Sequence, residues 1–193
     1  MMIRKGHALD LLEREQREFQ LIVTDPPYAF GGSGAEHCLT ATVATVLRES
    51  ARRLSAGGWL VVFCASSWRS TAYMVEAVRG IVEPVRFGFW GKPSPRTKTR
   101  TPGWAWATVH VLAMRKGKSL LTPDPSLDHI IAAPLVIGRR AELPPTVARW
   151  AVKPFSRWGG VMLDPFAGSG SLCRAAEECG MEAIGYEIGH STD

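Results

Sequence analysis

The sequence predicts an α/β fold, a mostly parallel sheet with helices on both faces. Three observations predict it. Short apolar runs of strand length, among them Leu21-Ile22-Val23-Thr24, Trp59 to Cys64 and Val161-Met162-Leu163, alternate along the chain with longer stretches of helical periodicity. The runs are apolar throughout rather than at every second position, as strands buried on both faces of a parallel sheet are. Two of them end in clusters of acidic residues, prolines and glycines, and the carboxyl ends of strands are where open α/β sheets bind ligands.

Each element follows from its own pattern. Asp10 to Phe19 spaces apolar residues among charges at helical intervals and runs into a buried-type strand, Phe19 to Thr24. Leu39 to Leu54 is the next helix, with Arg52-Arg53 complementing its carboxyl-end dipole before the stop at Ser55-Ala56-Gly57-Gly58. Trp59 to Cys64 is a strand, Ser67 to Arg79 a helix closed by Gly80, and Val85 to Lys92 and Ala107 to Met114 two further strands around the proline-punctuated loop Pro93 to Trp106. From Arg115 to Leu143 the pattern is weak, broken by Pro123, Pro125 and Pro134. Pro145 suits the first turn of a helix reaching Lys153. Val161 to Leu163, Ser171 to Cys179 ending at Gly180, and Ala183 to Ile188 complete the series as strand, helix and strand.

A chain of 193 residues fits one domain, 1–193, large enough to bury a core without disulfide or metal staples. At 46% hydrophobic and 21% charged residues it falls outside disordered and fibrous classes. A net charge of +5 favours polyanions only mildly. Cys38, Cys64, Cys173 and Cys179 form no C-x-x-C pair and the histidines stand far from them, so neither a metal site nor a disulfide framework is expected. Cys64 and Cys173 read as small core residues. The N-terminus lacks the apolar run of a signal peptide, and no stretch approaches the ~18 apolar residues of a membrane span. The expectation is a cytoplasmic protein without membrane partners.

Asp25-Pro26-Pro27-Tyr28 closes the first strand. Two prolines fix φ near about −65° and remove two N–H donors, leaving a stiff, acceptor-rich segment. A carboxylate and a proline carbonyl together accept from an exocyclic NH₂, and the tyrosine offers a flat face for the ring that carries it. That chemistry suits adenine or cytosine, although a strand ending in a plain proline turn has the same appearance.

A second motif runs Asp164-Pro165-Phe166-Ala167-Gly168-Ser169-Gly170-Ser171, a strand end, a glycine loop and a helix start. Glycines admit a ligand close to the backbone. Glu187, about 20 residues on at the end of the next strand, matches the place from which an acidic side chain holds a ribose. The dinucleotide spacing G-x-G-x-x-G fails, because its third position is Cys173.

With Asp164-Pro165-Phe166 ahead of the loop and Glu187 behind it, the segment resembles the cofactor motif of S-adenosylmethionine-dependent methyltransferases. With Asp25-Pro26-Pro27-Tyr28 preceding both, the chain resembles the amino-methylating DNA methyltransferases, in the motif order of their circularly permuted β class. Leu54 to Phe63 is similar to the family's Gly-Gly turn and following strand, Phe89-Trp90-Gly91-Lys92-Pro93 to its tryptophan and lysine strand, and His110 to Gly117 to the antiparallel strand after it. Two departures stand out. Gly6-His7 replaces a Gly-Asp pair whose acid meets the cofactor's adenine, with Asp10 a poor substitute one turn away, and Glu142-Leu143-Pro144-Pro145 stands where a His-x-x-x-Lys-Pro signal belongs, leaving Lys153 and the Pro145 helix as compensation.

The resemblance implies a Rossmann-like class I methyltransferase, a seven-stranded, mostly parallel sheet with one antiparallel hairpin strand. It implies S-adenosyl-L-methionine as cofactor, no metal, and DNA as substrate, as in restriction-modification enzymes. Asp25, Pro26, Pro27 and Tyr28 would be catalytic, and Asp164, Pro165, Phe166, Gly168, Ser169, Gly170, Ser171 and Glu187 would bind the cofactor. The aspartate at position 25 leans toward adenine N6. Cytosine N4, RNA, or a catalytically weak module that binds nucleic acid or a partner are the other readings.

For nucleic acid the best segment is Lys92 to Trp106, where Lys92, Arg96, Lys98 and Arg100 alternate with hydroxyl residues ahead of Trp104 and Trp106. Phe30 would add an apolar wall for an extruded base. The region from about 93 to 142 is a short target-recognition or partner-facing segment, which implies a very short or relaxed recognition sequence; a second subunit or a second copy of the chain is a further partner.

Overall fold

The computed structural model describes residues 1–27, 34–93 (backbone alone over 34–39), 107–118, 129–135, 142–157 and 159–189. In chain order the elements are β1 (Met2–Lys5), α1 (Ala8–Arg14), β2 (Phe19–Thr24), α2 (Gly34–Arg52), β3 (Leu54–Ala65), α3 (Trp68–Ala77), β4 (Glu83–Gly91), β5 (Thr108–Arg115), β6 (Ile130–Ala132), α4 (Pro145–Val152), a 3₁₀ turn (Lys153–Phe155), β7 (Val161–Asp164), α5 (Ser171–Glu178) and β8 (Glu182–Glu187). The strands form one sheet in the order β1-β8-β7-β2-β3-β5-β4-β6. All neighbours are parallel except those of β5, which runs antiparallel to both β3 and β4. This is the mostly parallel α/β arrangement, with a single reversed strand, that the resemblance implies.

The sheet has eight strands where seven were expected. Six of the eight are the strands read from the sequence pattern, and the other two are the edges of the sheet. β1 is four residues long and half-exposed, and β6 is three; neither is long enough to declare a period in sequence, and each exists because a longer neighbour offers a free ladder of backbone groups. β3 also begins earlier than Trp59. Ser55 to Gly58 is an irregular excursion between the pairs Phe19↔Leu54 and Leu21↔Trp59, rather than a plain helix stop.

The core is split by the sheet. Leu21 and Val23 of β2 face α4 and α5 together with Trp59, Val61 and Phe63 of β3. Ile22, Leu60 and Val62 face α1, α2 and α3. Alternate residues of one strand thus enter two cores, which is why the central runs are apolar at every position. Cys64 and Cys173 are buried core residues, Cys64 with its thiol pushed up to about 11 by burial.

Crossovers leave the middle of the sheet in opposite directions. From β2 the chain passes over α2 to β3 on one side; from β7 it passes over α5 to β8 on the other. The adjacent strands β2 and β7 therefore flank the topological switch point, where helices on opposite faces part and leave a crevice.

Candidate active site

The carboxyl ends of β1, β8, β7 and β2 lie side by side in the sheet and form the floor of one crevice of about 380 Å³. From one end to the other, these strands deliver Gly6 and His7, then Glu187 and Ile188, then Asp164 through Ser169, then Asp25 and Pro27. Thr42 and Val46 of α2 wall one face, and Leu143, Ser171 and Leu172 the other. The volume is within the ~300–1,000 Å³ of small-ligand sites.

Thr24, the last residue of β2, is fully buried and donates its hydroxyl to Asp164 Oδ1 at 2.7 Å. The same oxygen accepts the Phe166 backbone N–H at 3.1 Å, which turns the chain out of β7 into the loop. Burial raises Asp164 to about 7; the two hydrogen bonds pull the other way, and the charges on Asp25 and Glu187 add to the rise.

Beyond Phe166 the loop is held from β8. Ala167 N–H donates to the Tyr186 carbonyl at 2.9 Å, and Gly168 N–H donates to Glu187 Oε2 at 2.8 Å. Gly168 has φ of +49°, and a Cβ there would project into open space, so the backbone is bare toward the crevice. Gly170, with φ of +77°, is the left-handed N-cap of α5. Arg174, one turn into α5, donates to the Ser169 carbonyl at 2.6 Å and to Glu142 Oε1 at 3.2 Å, tying the loop to the segment before α4.

Of the residues singled out for the cofactor, Asp164, Pro165, Phe166, Gly168, Ser169, Ser171 and Glu187 line the crevice. Gly170 does not; it is buried under the loop and sets the helix start. Asp25 is half-buried and Pro27 exposed at the mouth, while Pro26 is buried behind them. Lys92, at the end of β4, is half-buried with its ammonium 4.9 Å from the centre of the Trp90 ring. Burial lowers its pKa, and the negative charge of Asp25 partly restores it. Tyr28, Phe30, Arg96, Lys98, Arg100 and Trp104 lie outside the described residues.

Asp10 is exposed in the first turn of α1 and Lys153 is exposed in the 3₁₀ turn; neither borders the crevice. His7 itself does, as the N-cap of α1, and so does Leu143. Sequence reading also passed over Gly185. A Cβ there would lie 2.6 Å from the Ala167 Cβ and 2.6 Å from Ile3 Cδ1, so only glycine lets the loop settle on β8. Thr24 was likewise missed, though a polar residue ending an apolar run is a signal.

The charge of the crevice is one-sided. Asp25, Asp164 and Glu187 line it, and among the described lining residues there is no lysine or arginine. Such a cleft attracts a cation and repels a pyrophosphate. No group of described residues is arranged to hold a metal ion, and no described helix is long and apolar enough to cross a membrane.

The comparisons agree with this geometry. The family model N6_N4_Mtase, described as DNA methylase, matches residues 71–192. YubD of Escherichia coli (strain K12), a methylase by name, is 29% identical over 185 residues, covering 86% of this chain and 75% of that protein. Type II methyltransferase M.MjaI of Methanocaldococcus jannaschii is 40% identical over 58 residues, 30% of this chain and 19% of that one. Among solved structures, M1.HpyAVI in complex with SAM superposes with a TM-score of 0.80 at 17% identity, covering 97% of this chain and 93% of that one. The cytosine-N4-specific PvuII DNA methyltransferase gives 0.76 at 16% identity, covering 97% and 81%. The family model spans well over half of the sequence, from within α3 through β8 and including the glycine loop and Glu187, and the chain belongs to the amino (N6/N4) DNA methylase family.

Proposed function

We propose that the protein transfers a methyl group from S-adenosyl-L-methionine to the exocyclic amino group of a DNA base, adenine N6. The observation that carries this reading is that Asp25, the glycine loop and Glu187 border one crevice with three acidic side chains and, among the described residues, no lining lysine or arginine. The cofactor is a cation at sulfur and at its amino group, and such a lining favours it over a dinucleotide phosphate. Bare backbone at Gly168 and a ribose-height carboxylate at Glu187 fit the same molecule. When bound, the cofactor supplies an electrophilic methyl group on a sulfonium.

The chain's own groups orient the acceptor. Asp25 and the Pro26 carbonyl accept the two N–H bonds of the target amine, which draws its lone pair out of conjugation and aims it in line with the methyl group. Asp25 stabilises the positive charge that develops on nitrogen and takes the proton after transfer. Tyr28 and Phe30 stack on the base once it leaves the duplex, and Lys92 with Arg96, Lys98, Arg100 and Trp104 contacts the strand. Chain order, with Asp25 ahead of Asp164, supports the permuted β class, and residues 1–193 act as one methyltransferase domain. The short segment over about 93–142 supports a brief or relaxed recognition sequence.

Labelled methyl transfer to DNA and to RNA tests the reading, with the product base identified by mass spectrometry. N6-methyladenine in DNA is the expected product. N4-methylcytosine would favour the second reading, for which the similarity to the cytosine-N4-specific enzyme speaks. A long unique motif among the modified sites would refute relaxed recognition.

A further inference from the structure

The crevice crosses four strand ends in the order β1, β8, β7, β2. Neighbouring strands are about 4.8 Å apart, so the three steps span ~14 Å, the reach of a nucleoside with an amino-acid tail. On the reading proposed above, which this inference rests on, the reacting methyl lies at the Asp25 end and the ribose at Glu187. The adenine then falls at the β1 end, beside Gly6, His7 and Ile188. That end is fixed to its neighbour, because Gly6 N–H donates to the Glu187 carbonyl at 3.0 Å.

His7 is the one polar side chain among these three residues, and its local role determines which proton it presents. As N-cap of α1 it has φ of −68° and ψ of 131°, and its Nδ1 accepts the Leu9 backbone N–H at 3.3 Å. A ring nitrogen that accepts carries no proton, so in the neutral imidazole the proton is on Nε2. His7 lines the crevice, and with Nδ1 turned back onto the helix Nε2–H is the ring's donor for a ligand there.

We propose that His7 is a specificity-determining residue for the cofactor, donating from Nε2–H to a ring nitrogen of its adenine. The cap makes it a donor. It recognises N1, N3 or N7, which are acceptors, and not the exocyclic amine, which is a donor. A carboxylate at the same position would read the opposite pattern.

The test compares binding of S-adenosylhomocysteine with its 1-deaza, 3-deaza and 7-deaza analogues, each lacking one ring nitrogen, to the native protein and to His7→Asn. Asparagine still caps α1 but is too short to reach the base. For the native protein one analogue should bind about five- to tenfold more weakly than the parent, and that difference should vanish in His7→Asn, which binds the parent as weakly as it binds the analogue. Equal native binding of all four compounds overturns the proposal while leaving the cofactor assignment standing. So does a difference that persists in His7→Asn. Failure of the native protein to bind S-adenosylhomocysteine at all overturns both. Should His7→Asn not fold, the native series alone retains its power to refute.

Discussion

Thr24 and Asp164, 140 residues apart in sequence, are joined by a buried 2.7 Å hydrogen bond across the switch point of the sheet. Thr24 immediately precedes Asp25, and Asp164 opens the glycine loop, so this bond fixes the two halves of the crevice against each other. Replacing Thr24 with valine keeps the shape and removes the donor. Because a hydrogen bond to a charged group is worth about 1.5–3 kcal/mol, Thr24→Val should lose roughly 2 kcal/mol at pH 8. The loss should be smaller at pH 5, where Asp164 is protonated, and denaturant unfolding at both pH values measures the difference. Equal losses would mean that the bond does not depend on the charge of Asp164.

Asp164 titrates near 7 in the folded chain, against an ordinary value of 3.8. A carboxyl raised on folding binds its proton more tightly in the native state, so stability declines as pH rises from about 4 to about 7. The decline is at most ~1.4 kcal/mol per pH unit. Asp164→Asn keeps an acceptor for Thr24 and for Phe166 N–H, and should abolish this portion of the pH dependence. S-adenosylmethionine binding to the native protein should strengthen over the same interval, as the carboxylate forms to meet a cation. Stability curves that stay parallel in native and variant would contradict the assignment.

Gly185 lies under the loop. Gly185→Ala places a methyl group against Ala167, which cannot yield without moving Gly168 away from Glu187. Overpacking of this kind costs ~1–3 kcal/mol. We expect that loss in urea unfolding, together with weaker S-adenosylhomocysteine binding. A variant that is destabilised but binds normally would show that the loop tolerates the shift.

Glu15, at the end of α1, ties that helix to β1 and β8. Its buried carboxylate accepts from Arg17 Nε and Nη2 at 2.9 and 2.8 Å, from Arg4 Nη1 at 3.1 Å and from the Tyr186 hydroxyl at 3.2 Å. The Arg17 hydrogen bond is the largest cause that holds it down at about 2, below the ordinary 4.5. A depressed carboxyl contributes stability that is complete above about 4.5 and disappears as pH falls toward 2. Glu15→Gln should therefore lose on the order of 3 kcal/mol at pH 7, with the gap closing in acid. Thermal melts from pH 2 to 7 would show it.

The parts legible in sequence were those set by local chemistry. Phe19–Thr24 was readable because Leu21, Ile22 and Val23 are apolar at consecutive positions after Phe19, and β7 with its loop because Asp164, Gly168 and Gly170 carry their own conformational signals. The edge strands were not, since β1 and β6 owe their shape to β8 and β4. α2 begins at Gly34, earlier than the expected Leu39, after a glycine-rich stretch that signals a break. Thr42, Val46 and Leu143 line the crevice only because the fold brings α2 and the segment before α4 over the strand ends. His7 was visible as an oddity, and its tautomer is legible only with Leu9 N–H in view.

The central claim is tested most directly by transfer of labelled methyl from S-adenosylmethionine to DNA, by the native protein and by Asp25→Ala, with cofactor affinity measured alongside. We predict that native protein labels adenine N6, and that Asp25→Ala is slower by about 100-fold or more while binding the cofactor within a few-fold of native. Undiminished transfer by Asp25→Ala would contradict the account.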